Sequence, residues 1–92
     1  AHETADLNLL EINAFPNPTR SFSQVKFSLE EPLKASASLF SASGEMVWRK
    51  ELGQLPAGEN SLEVSLENLP ADVYFISIVT PEKSGVLRLD KF

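Results

Sequence analysis

The chain has 92 residues, 42% hydrophobic and 23% charged, with 13 acidic side chains against 8 basic ones. A net charge of −5 argues against a nucleic-acid partner, which needs a Lys/Arg face to neutralise phosphates, and against a basic membrane-surface helix. The absence of cysteine removes disulfide frameworks, cysteine–zinc sites and thiol catalysis together.

Residues 1–7 carry little apolar content and are expected to be a linker or tail, which leaves 8–92 as one domain. From there apolar and polar residues alternate, the period-two signature of strands with one face in and one face out. The first strand is predicted at 8–15. It ends at Phe15-Pro16-Asn17-Pro18-Thr19, where each proline removes a donor and biases its predecessor to extended backbone. The second, 22–30, alternates through Val25, Phe27 and Leu29 and closes at Glu31-Pro32. The third, 34–41, does so through Ala35, Ala37 and Leu39, and Ser41-Ala42-Ser43-Gly44 fits a tight hairpin turn with Gly44 at positive φ. In the fourth, 45–52, Met46, Val47 and Trp48 are consecutive, which suits a strand packed on both faces or one at an edge.

Pro56-Ala57-Gly58 turns the chain into a fifth strand, 60–67, with Leu62, Val64 and Leu66 in phase. Pro70-Ala71-Asp72 leads into a sixth, 72–80, with Tyr74, Ile76 and Ile78. Pro81 to Gly85 joins it to the last, 85–91, with Leu87 and Leu89. No window of a dozen residues keeps a period of 3.6. Seven short strands with a turn every 8–14 residues predict an all-β two-sheet sandwich. A short echo runs through it: Leu52-Gly-Gln-Leu55-Pro56-Ala57-Gly58 is matched 14 residues on by Leu66-Glu-Asn-Leu69-Pro70-Ala71-Asp72. The leucines are expected to plug the sandwich end, and Asp72 to take the left-handed conformation that Gly58 takes in the first copy.

Little in the sequence supports catalysis. The single histidine is His2, in the expected tail, and no HExxH, CxxC, P-loop or GxGxxG pattern occurs. Glu30 and Glu31 are adjacent and so point to opposite faces of a strand. Glu59, Glu63 and Glu67 recur every four residues, which on a strand means steps of about 13 Å, too far apart for one calcium ion. No cofactor is expected. Among the aromatics, Phe27 and Tyr74 belong to the core alternation, and Trp48 is either core or an exposed contact. Phe40 and Phe75 fall on the opposite phase and are expected to face outward or cover an edge.

Taken in order, Pro16-Asn17-Pro18, the hairpin around Gly44, Leu55-Pro56-Ala57-Gly58-Glu59-Asn60 and Leu69-Pro70-Ala71-Asp72-Val73-Tyr74-Phe75-Ile76 form a pattern. With a short basic end at Lys91, it resembles the type A C-terminal sorting domain of the type IX (Por) secretion system of Bacteroidetes. The resemblance covers residues 12–92, with Asp72 where the family has glycine, Glu45 where it often has Arg or Lys, and Leu89-Asp90-Lys91-Phe92 in place of a lysine-rich terminus.

The resemblance implies an Ig-like antiparallel two-sheet sandwich, an exported, non-enzymatic domain that passes through the periplasm and reaches the cell surface or the medium. The export signal and a passenger would then lie upstream in the same precursor. It implies recognition by the secretion machinery and, in typical cargo, removal by a sortase-like peptidase cutting in or before residues 1–8. The recognition element is expected at Gly85, Val86, Leu87, Arg88, Leu89, Asp90, Lys91 and Phe92, with Arg88 and Lys91 as charged contacts and the terminal strand able to donate an edge. The motif residues that shape the domain are Pro16, Asn17, Pro18, Gly44, Pro56, Gly58, Pro70 and Tyr74. Two other readings remain: a structural spacer or adhesion module with no address function, and a carbohydrate-binding sandwich using Trp48 with Phe40.

Overall fold

The computed structural model describes residues 9–92, so the expected linker and His2 lie outside the described residues. Seven strands follow in order: β1 Ile12–Phe15, β2 Phe22–Leu29, β3 Leu33–Ser41, β4 Met46–Leu55, β5 Gly58–Ser65, β6 Val73–Val79 and β7 Ser84–Asp90. They form two antiparallel sheets, one ordered β1-β2-β5 and the other β4-β3-β6-β7, which is the expected sandwich.

The period-two pattern becomes the core. In β2, residues 23, 25, 27 and 29 are buried and the intervening ones exposed. Val25, Phe27, Leu29 and Val64 from one sheet meet Ala37, Leu39, Tyr74, Ile76, Ile78 and Leu89 from the other. Seven apolar side chains among them are sealed completely, from Val25 to Leu89. Burying a residue of that size contributes about 1.5–3 kcal/mol.

β4 is an edge strand, and that accounts for its irregular pattern. Trp48 lies opposite Leu39 and is half-buried against the core, while Met46 and Val47 are exposed. The strand runs on to Leu55, three residues past its expected end, interrupted by two register shifts, one of them beside Gly53 at a φ of +73°. Lys50 lies opposite the buried Ala37, so this edge turns a charge toward the sandwich, which discourages pairing with another chain. Phe40 and Phe75 do face outward. They lie directly opposite one another in the row Met46–Phe40–Phe75–Arg88, each half-buried by its neighbours. Trp48 and Phe40 are therefore on opposite faces of one sheet and cannot form a single sugar platform.

The turns follow their residues. Gly44 has a φ of +93°, its amide donates to Ser41 O at 2.9 Å, and Ser41 N–H donates to Glu45 O at 2.8 Å. The two echo segments differ. Gly58 has a φ of +100° and enters β5 at once, opposite Leu29. Asp72 does not adopt the left-handed conformation expected of it, because no non-glycine residue has a positive φ among the described residues. Instead its Oδ1 accepts from Val73 N–H at 2.7 Å and its carbonyl accepts from Lys91 N–H at 2.9 Å. Leu52 and Leu55 close one end of the sandwich and Leu66 and Leu69 the other, since β4 and β5 run in opposite directions.

The segment before β2 crosses between sheets. Leu10 N–H donates to Ser84 O at 2.8 Å at the start of β7. Ile12–Phe15 then pair with β2, and Thr19 returns to bridge Lys91 at the end of β7. Gly85 makes the first crossing possible. A Cβ built there would run into the Leu10 carbonyl oxygen and come within 2.9 Å of Ile12 Cδ1. Backbone cannot step aside as a flexible side chain can. Gly85→Ala is expected to cost about 1–3 kcal/mol, the range for overpacking. Urea unfolding will read this as a lower midpoint, with faster exchange of the Leu10 amide than in the parent.

Candidate recognition surface

In β7 the backbone groups of residues 85, 87, 89 and 91 face β6, and those of 84, 86, 88, 90 and 92 face away from it. Five of the outward groups are bonded to the N-terminal segment, among them Ser84 O to Leu10 N–H. The Asn17 side chain behaves as one peptide unit of a missing strand: Nδ2 donates to Arg88 O at 2.7 Å and Oδ1 accepts from Asp90 N–H at 3.0 Å. Thr19 N–H donates to Asp90 O at 2.9 Å, and Phe92 N–H donates to Thr19 O at 3.1 Å. The Phe15–Pro16 and Asn17–Pro18 peptide bonds are both cis.

Buried hydroxyls hold this segment in place. Ser23 is fully buried and its Oγ donates to Pro16 O at 2.9 Å. Thr19 is also buried; its Oγ1 donates to Phe22 O and accepts from Ser21 N–H at 3.3 Å. On the other flank Lys91 Nζ donates to Leu69 O and, at 3.2 Å, to Glu67 O. Tyr74 Oη donates to Pro70 O at 2.6 Å. Burial, and then the nearby Asp72 carboxylate, push the Tyr74 phenol above its ordinary value.

The eight residues of the expected recognition element thus divide. Gly85 and Leu89 are buried and Leu87 is half-buried, all turned to the core. Lys91 is occupied by loop carbonyls. Arg88 Nε donates to Asp90 Oδ1 at 2.8 Å on the exposed face. Val86 and Phe92 are exposed, at 64% and 61%. Of the motif residues, Pro16, Asn17, Pro18, Pro70 and Tyr74 gather at the end of β7, and Gly44 turns a hairpin at that same end of the sandwich. Pro56 and Gly58 lie at the opposite end.

That opposite end is acidic. Glu82 is held above its ordinary value first by the charge of Glu31 and then by desolvation. A surface cleft of about 350 Å³ at this end, between Leu9–Glu11 and Ser28–Glu30, also holds Glu59, Lys26 and Lys83. No group of three metal-binding side chains occurs among the described residues.

Thr19, Arg20 and Ser23 went unnoticed in the pattern. Ser23 carried a usable signal, a polar residue on the buried phase of Val25, Phe27 and Leu29. Residues 13–89 match the model of a family described as the secretion system C-terminal sorting domain. No curated protein matches the chain.

Two substitutions test this architecture. Asn17→Ala removes both edge bonds and is expected to cost about 1–2 kcal/mol. The Asp90 amide should then exchange at least tenfold faster while amides of β6 hardly change. For Tyr74 the folded state keeps a proton that the unfolded chain loses near pH 10. Its contribution is therefore complete below about pH 10 and falls as pH rises beyond it. Tyr74→Phe should lose about 1 kcal/mol at pH 7 and show a shallower decline in stability above pH 10.

Proposed function

The chain belongs to the secretion system C-terminal sorting domain family, and from that premise we propose that its closing strand is the address read by the translocon. Membership makes it a C-terminal signal for type IX secretion, the route by which Bacteroidetes carry proteins across the outer membrane to the cell surface or the medium. The family is one of sorting signals and not of catalysts. The passenger lies upstream in the same precursor and crosses the periplasm before the signal is read. Residues 8–92 are the sorting domain. A sortase-like peptidase then cuts in or before residues 1–8.

The observation that carries this reading is the way β7 is presented. Its edge is bonded at both ends, to Leu10 at Ser84 and to Asn17 and Thr19 at Arg88–Phe92. The strand is ordered by these bonds, and Val86, Arg88 and Phe92 project from it. A receptor meeting preordered side chains loses less entropy on binding than one that must order a tail.

A fusion tests it. Residues 1–92 are appended to a periplasmic reporter in a host with this secretion system. Export of the reporter is expected, and deletion of Gly85–Phe92 should abolish it. Because that deletion also removes core residues, Val86→Asp with Arg88→Glu, both exposed, should lower export at least about fivefold in a folded domain. A full fusion that stays periplasmic refutes the address.

A further inference from the structure

Three of the chain's six phenylalanines are strongly exposed, Phe15 at 76%, Phe22 at 41% and Phe92 at 61%, although they are distant in sequence. All three lie at one end of the sandwich. Phe15 closes β1 and pairs with Gln24, which places Phe22 diagonally across the ladder on the same outer face, roughly 7–8 Å away. Phe92 is brought to that end by its bond to Thr19 O, and the Arg20 guanidinium lies over its ring, 5.3 Å from the centroid. The short segment from Phe15 to Phe22 thus connects all four side chains.

Exposed phenylalanine is unfavourable in water, and three at one end form a surface that gains by being covered. Aromatic and arginine side chains are the groups on which protein interfaces concentrate their energy. The charges point to the chemistry of the cover. Arg88 is paired with Asp90 and Lys91 is held by loop carbonyls, which leaves Arg20 as the cation set among the rings.

The fold also sets the point of entry apart from this surface. Leu9 and Leu10 join β7 at Ser84, at the acidic end, and β7 then runs its seven residues, about 20 Å, to the aromatic end. The chain therefore enters the described fold about one strand length away from the phenylalanines. We propose that Phe15, Phe22, Phe92 and Arg20 form the docking surface for the export machinery, fitting an apolar socket rimmed by carboxylates. This rests on the sorting reading above and extends recognition from the closing strand to a surface shared by both termini of the fold.

The test uses the same reporter fusion, carrying Phe15→Ser, Phe22→Ser, Phe92→Ser and Arg20→Glu singly and together, with Val79→Ser, exposed at the far end, as control. Each single change is expected to lower export about threefold to tenfold and the combination at least about fiftyfold, with the control unchanged. The purified Phe15, Phe92 and Arg20 variants should melt within about 4 °C of the parent, as surface changes do. Arg20→Glu should reduce export more than Arg20→Gln. The three exposed single variants decide the question if the combined variant unfolds. An exported parent with equally exported variants overturns the docking surface and leaves the sorting reading standing, whereas a parent that is not exported overturns the sorting reading. Dimers of the purified chain that dissociate on Phe92→Ser would also overturn it, by assigning the surface to a second copy.

Discussion

An edge strand leaves a row of amides and carbonyls unbonded, and β7 is the edge on which this domain depends. Its outer groups are bonded at both ends of the strand by the segment that precedes β2, with Gly85 allowing one approach and Asn17 supplying the other. Without that segment the last strand of the four-stranded sheet would be both open to aggregation and poorly fixed. With it, the two sheets are tied along one side of the sandwich by a single stretch of chain that belongs to neither throughout. Buried Ser23 and Thr19 hold the stretch from beneath, and Lys91 ties the following residues to the Glu67–Leu69 loop.

This arrangement gives the domain two unlike ends. One receives Leu9, carries Glu30, Glu31 and Glu82 and, among the described residues, holds no exposed aromatic. The other carries Arg20 with Phe15, Phe22 and Phe92. A sorting signal has to remain readable while a passenger is attached. Entry at one end and display at the other meets that need through strand direction alone, since β7 spans the body from Ser84 to Asp90. The strand's own pairing capacity is mostly spent on the fold, so what it offers outward is side chains.

Much of the fold was legible because the sandwich core obeys a local rule. Val25, Phe27 and Leu29, or Tyr74, Ile76 and Ile78, declare their buried face by alternation, and Gly44 and Gly58 declare turns by their freedom at positive φ. Legibility failed where one residue had two ways to satisfy a turn. Asp72 was expected to imitate glycine and instead used its carboxylate on Val73. It also failed at β4, where Met46, Val47 and Trp48 could be read as edge or interior until the register with β3 was known.

The sequence by itself determined the seven strands, the inward phase of those that alternate, and the family to which the chain belongs, because strands and turns are written in residues a few positions apart and the family in the order of those motifs along the chain. Only the tertiary structure decided that Asn17 completes β7, that Gly85 lies under Leu10, and that Arg20 meets Phe92. Each of these joins residues about 70 positions apart, and no period or spacing along a chain encodes which distant backbone an unpaired edge will find.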